Sequence, residues 1–429
     1  MKTGTVWTLL ALAAGAMAVA GCQQGTTGSN HAAQTLTELA KEDLQVHWKI
    51  TLDLNPQTAE KVRGLYYEPD RVYALTTDNR LMGVDAFSGQ YLWSADLGDK
   101  DIPALGVSQL GRAVFVCILN KLHVLNTMDG TRVRTKVLTA APTSAPVISG
   151  EYIYYGTNAG WFKAEGLLDA AANWDKLTYA AVMAAPTYDA TRAYFASIAG
   201  DVYASNFNKR LIQWEQHLGA AVVGNLQRTS DGLILVPCRD YVLYALNPST
   251  GQIAWINTTG EPLESSPTVR AGRIYIIKKG GTMLSIDEKT GKTLWQAEAI
   301  RAFLAASPRT VFAQTLGGNI VALGLDDGAV KYTLASAGTP LAAVNSLDGQ
   351  LFVAGPDGQI VAVREKTVTY NDATTTAPAE KPAETPAAKP AEPVAKPAEP
   401  PAAKPAETPA EKPAEKAAEK PADKPADAS

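Results

Sequence analysis

Tryptophan recurs in this chain at a fixed interval, and that interval limits the folds open to it. Six of the eight tryptophans stand at Trp48, Trp93, Trp174, Trp214, Trp255 and Trp295, with gaps of 45, 81, 40, 41 and 40 residues. The longest gap is two periods, and its midpoint falls at Arg134. One further period beyond Trp295 lies Tyr332, so the register has eight stations. The text around the stations repeats too. Asp85, Asn247 and Asp287 are each followed four positions on by Gly89, Gly251 and Gly291, and four positions later by Trp93, Trp255 and Trp295. An Asp or Asn side chain accepts from nearby backbone amides, and Gly takes positive φ without steric cost, so these segments are tight turns. Short runs of Val, Ile, Tyr and Leu between such turns read as three or four strands per unit, not helix. A four-stranded unit repeating at about 40 residues is the period of a β-propeller blade.

The units fall near 64–97, 105–138, 146–178, 186–218, 225–258, 266–298, 303–335 and 342–366. The last lacks a final Trp-bearing strand. Upstream, residues 46–52 around Trp48 form such a strand with no unit before it. Pairing 46–53 with 359–365 completes blade eight from both ends of the chain and leaves only short, protected edges. The predicted fold class is therefore all-β: an eight-bladed β-propeller of four-stranded antiparallel blades over residues 46–366. Trp48, Trp93, Trp174, Trp214, Trp255 and Trp295, one per blade, read as structural blade-packing residues. Trp161 is off this register and is a candidate for a partner contact. Lys278-Lys279 and Arg239-Asp240 occupy the same inter-strand turn in different blades. Such turns gather on one face of a propeller, where they would line a docking surface.

The two ends differ from the body. Residues 1–21 carry Lys2 and an alanine-rich apolar run too short to favour a spanning helix, the pattern of a signal peptide. The run ends in Val19-Ala20-Gly21-Cys22, which resembles a bacterial lipobox. The resemblance implies lipidation at Cys22, and more than one acyl chain there would make a stable membrane anchor. Residues 22–45 read as a tether, with Leu36, Leu39 and Leu44 spaced for one or two helical turns. Thirteen of the 26 prolines lie in 371–429, and no glycine follows Gly358. Residues 367–429 thus read as a disordered, mixed-charge Pro/Ala/Lys/Glu tail. As polyproline II, 375–429 would reach ~170 Å, as a spacer toward the cell wall or a partner, as a Pro-rich docking ligand, or as a solubilising segment.

The unit resembles the PQQ-like β-propeller repeat, through Ile153-Tyr154-Tyr155-Gly156-Thr157, Tyr244-Ala245-Leu246-Asn247 to Trp255, and Asp287 to Trp295. The resemblance covers residues 46–366. Two branches of that superfamily are relevant. Quinoprotein alcohol dehydrogenases hold PQQ with an adjacent Cys-Cys disulfide, a stacking Trp and Ca²⁺. This chain has no adjacent cysteines and lacks long insertions. The outer-membrane assembly lipoproteins of the BamB type are similar in lipobox, blade count and N-terminal strand closure. That similarity implies a non-enzymatic scaffold, lipid-anchored at the outer membrane and facing the periplasm. It would bind envelope proteins of the β-barrel assembly machinery. The alternatives are a PQQ-dependent oxidoreductase, or a carbohydrate-binding, cell-wall-binding or sensor propeller.

Other chemistry finds little support in the residues. His31, His47, His123 and His217 show no metal-ligand spacing, and no calcium loop, phosphate loop or nucleophile elbow occurs, so no catalytic, cofactor or metal site is assigned. A net charge of −4 with dispersed basic residues gives no nucleic-acid footprint. Cys117 and Cys238 fall in strands three blades apart and read as buried apolar residues, not a disulfide.

Overall fold

The structure is a computed structural model and describes residues 43–206, 210–334 and 340–370. Cys22, the leader, the tether up to residue 42 and the tail from residue 371 lie outside them. Among the described residues there are eight four-stranded antiparallel sheets. Seven are built from consecutive strands, and we number these blades 1 to 7 from Val62–Asp96 to Ile300–Leu334. In blade 8 three strands, Leu341–Ala342, Leu351–Ala354 and Gln359–Glu365, are joined by the strand Leu44–Thr51 from the other end of the chain. Its register runs from Leu44 opposite Glu365 to Thr51 opposite Gln359, with a bulge between Val46 and Trp48.

The sheets stack because each is apolar on both faces. The second strand of blade 1, Arg71–Thr76, is buried throughout, the pattern of a strand covered on both sides. The outermost strands instead alternate, as in Leu211–His217. Eight clusters of buried side chains result, each shared by two neighbouring blades. Tyr73 and Trp93 of blade 1 join Val114 and Val116 of blade 2. The series continues round the ring until Trp48 and Phe352 of blade 8 meet Val72 and Met82 of blade 1. The ring therefore closes on hydrophobic contact as well as on the pairing of its terminal strands.

The closing strand differs from expectation at its start. Leu44 and Gln45 are strand and not the end of a helical turn. Leu44 is buried in the seam between blades 7 and 8, and the Lys366 amide donates to the Asp43 carbonyl at 2.8 Å. That tertiary burial overrides the local helical spacing.

The turn glycines explain the tryptophan period. A Cβ on Gly130 of blade 2, at φ +69°, would stand 2.5 Å from Cε3 of Trp93 in blade 1. Gly89, Gly251, Gly291 and Gly328 lie in the same way under Trp48, Trp214, Trp255 and Trp295 of the preceding blade. The indole N–H of Trp48, Trp93, Trp214 and Trp295 donates to a backbone carbonyl of that neighbouring blade: Ala86, Thr127, Pro248 and Leu325, at 2.7–2.9 Å. At Arg134, one of the two stations without an indole, the guanidinium donates to the Leu167 carbonyl of the next blade at 3.1 Å. Blade 4 breaks the pattern, since Arg210 at φ +52° stands where blades 1, 2, 5, 6 and 7 have glycine. Trp174 of the preceding blade packs instead on Phe162 of its own blade, with ring centroids 5.7 Å apart.

Candidate docking face

Antiparallel order sends the turn between second and third strands, and the linker to the next blade, out of the same face. One hydrogen bond ties them together in blade after blade. The first linker amide donates to the carbonyl of the last turn residue: Leu97 to Asn79, Leu138 to Asn120, Thr178 to Gly160, Leu218 to Gly200 and Thr259 to Tyr241. This bond aligns the blades residue by residue on that face.

Blades 1 and 2 carry Asn79 and Asn120 at that turn position, and two tyrosines stand where other blades have glycine. The last turn residue is a glycine of positive φ in five blades: Gly160, Gly200, Gly281, Gly318 and Gly358. In blade 5 it is Tyr241, at φ +72° and 49% exposed. The residue after the linker donor is Gly98 or Gly260, at φ +78° and +75°, in two linkers. Between blades 3 and 4 it is Tyr179, at φ +57° and 87% exposed. An L-residue with a Cβ costs roughly 1–2 kcal/mol in this region. Neither ring recovers that cost by burial. Met183 of the linker between blades 3 and 4, and Ile198 of the blade 4 turn, are exposed on the same face. Strained, solvent-facing tyrosines beside exposed apolar side chains are the composition of a recognition surface.

Charges border the patch. Lys278 pairs with Glu261 at 3.0 Å, and Arg239 and Lys279 both reach Glu264, at 2.6 and 3.4 Å. These partners hold the Glu261 and Glu264 carboxyls below the usual range, Glu261 chiefly through the Lys278 hydrogen bond and Glu264 through that from Arg239. The basic turns singled out in the sequence are thus neutralised by one linker, that between blades 5 and 6. Trp161 is partly buried at the start of the third strand of blade 3, with Lys163 Nζ 5.1 Å from its ring centroid.

The remaining sequence candidates are engaged elsewhere. His47 Nε2 lies 2.7 Å from the Phe87 carbonyl, and His217 Nδ1 lies 2.7 Å from Asp201. His123 is buried, and burial, followed by nearby Arg132, pushes its pKa down. Cys117 and Cys238 are free and buried in blades 2 and 5. Burial raises their thiols to about 12 and about 11, so both are held as inert thiols. Their placement does not fit the adjacent-cysteine feature of the quinoprotein dehydrogenases.

Comparison with known proteins places this geometry. The family model described as outer membrane protein assembly factor BamB matches residues 2–216 and 199–396. Outer membrane protein assembly factor BamB of Moranella endobia (strain PCIT) is 25% identical over 328 residues, 68% of this chain and 82% of that protein. The protein of the same description from Yersinia pestis is 24% identical over 327 residues, 69% of this chain and 81% of that protein. Among solved structures, BamB from Moraxella catarrhalis superposes with a TM-score of 0.61 at 17% identity, covering 76% of this chain and 99% of that one. The quinohemoprotein alcohol dehydrogenase ADHIIG from Pseudomonas putida HK5 gives a TM-score of 0.58 at 12% identity, covering 76% and 77%. At these identities both structural likenesses speak to the fold alone.

Proposed function

The chain belongs to the family described as outer membrane protein assembly factor BamB, and from that premise we propose that it is a non-enzymatic envelope scaffold that docks on the outer-membrane assembly machinery. The observation that carries this reading is the pair of glycine positions given over to exposed tyrosines, Tyr179 and Tyr241, on the turn-and-linker face. The face is held by eight closed blades, so its side chains are presented with little ordering cost on association.

The remaining parts of the proposal rest on the sequence. Cys22 would carry the lipid and hold the propeller at the outer membrane on its periplasmic side, through the tether. The 367–429 tail would be a hydrophilic spacer long enough to contact the cell wall. The six blade-packing tryptophans serve the scaffold and not a ligand.

The test is recovery of the lipidated full-length protein from detergent-solubilised envelopes of its own organism. Subunits of the β-barrel assembly machinery are expected to co-purify. Clean recovery of the protein with none of them would refute the proposal.

A further inference from the structure

One buried position sets blade 3 apart from the rest of the ring. The third-strand residue just after the one opposite each station is Val84, Leu125, Leu246, Ile286, Leu323 and Val363 in six blades, all buried in the seam with the preceding blade. Blade 4 has Ser205. Blade 3 has Glu165, 2% exposed. Seven counterparts show that the fold does not require a carboxylate here. Taking one out of water is costly unless it is fully hydrogen-bonded.

Glu165 is bonded on one oxygen only. Oε1 accepts from the Thr139 amide at 2.8 Å, the Thr139 hydroxyl at 2.6 Å and the Tyr155 hydroxyl. Oε2 accepts no hydrogen bond, and Lys136 Nζ stands 4.0 Å from it. The carboxylate lines a cavity of about 230 Å³ at the seam of blades 2 and 3, with Thr139, Lys163, Asn173, Trp174 and Asp175. Lys163 also departs from the repeat: its counterparts include Met82, Tyr244, Leu284 and Val361. Lys163 pairs with Asp175 at 2.7 Å across the strands.

We propose that this cavity binds a neutral polyhydroxyl ligand, a single sugar ring, with a hydroxyl donating to Glu165 Oε2. The charge arrangement selects that class. A cationic ligand would meet Lys163, and an anionic one would meet Glu165 and Asp175. Hydroxyl groups donate to the carboxylates and accept from the lysine, so they satisfy both signs at once. The cavity lies below the usual range of drug-sized pockets, about 300–1,000 Å³, and holds one ring but not an extended chain. This inference is independent of the docking face.

Saturation-transfer NMR on the full chain, with D-glucose and with N-acetylglucosamine as probes, tests it. Transfer to the ring protons of at least one sugar is expected, with a millimolar dissociation constant. Glu165→Leu installs the residue found in blades 2, 5 and 7. It is expected to melt below the wild-type temperature, because the Thr139 amide and the Tyr155 hydroxyl lose their buried acceptor, and to bind at least about tenfold more weakly. Glu165→Gln keeps an acceptor for Thr139 and serves as the second variant should the leucine perturb the loop. It too is expected to weaken binding. No transfer with either sugar, a cavity filled by solvent only, or binding unchanged in both variants would overturn the proposal.

Discussion

A chain shortened to begin at Asp53 is expected not to fold cooperatively as a monomer. The missing strand supplies all of the outer edge of blade 8, and without it Gln359–Glu365 loses its ladder over seven paired positions. It also removes Trp48, Leu44 and Leu52, which are buried in the seams on both sides of that blade. Large-to-small losses of this kind cost about 3–5 kcal/mol for a tryptophan and 2–5 for each leucine. Together they approach the whole stability of a typical domain, roughly 5–15 kcal/mol. Thermal unfolding followed by circular dichroism is the measurement, and addition of a synthetic peptide spanning 43–53 is expected to restore a single transition. A shortened chain that melts cooperatively at the full-length temperature would contradict closure by this strand.

The second large effect separates two glycines of similar backbone geometry. Gly98 and Gly130 both have positive φ, +78° and +69°. An added Cβ meets nothing within 4 Å at Gly98, but meets the Trp93 indole at Gly130. Gly98→Ala is expected to cost about 1 kcal/mol, from backbone conformation alone. Gly130→Ala carries that cost and must also displace a buried indole, a further 1–3 kcal/mol for overpacking. Urea unfolding of the two variants should place their midpoints clearly apart, with a red-shifted tryptophan emission in Gly130→Ala only. Equal midpoints would mean that the indole-on-glycine contact does not hold neighbouring blades together.

Much of the fold was legible because the features that close a blade are chemically loud. An indole every 40 residues, with Asp or Asn and then Gly before it, marks the outer strand and the turn that the preceding blade's indole covers. The unpaired half-repeats at Trp48 and at 359–365 declared how the ring ends meet. The N-terminal limit was misread at Leu44, where an apolar spacing fits either period over so short a stretch. The docking candidates were hidden for a different reason. Tyr241 and Tyr179 sit beside strands rich in tyrosine and look like core aromatics until the repeating linker hydrogen bond assigns them to glycine positions. Glu165 alternates with Ala164 as an outward residue of a half-exposed strand would. A strict alignment of the eight units, counting from the station, would have exposed it as the one charge in a column of six apolar residues and a serine.

The account of function stands or falls with the exposed tyrosines. Replacing both in the lipidated protein, Tyr179→Gly with Tyr241→Gly, restores the residue that other blades use at each place. The variant is expected to be at least as stable as the wild type, by about 1 kcal/mol for each relieved backbone strain, while co-purification of assembly-machinery subunits falls at least about tenfold, as for loss of central aromatic anchors. A variant that gains stability and still recovers those subunits at the wild-type level would contradict the docking face.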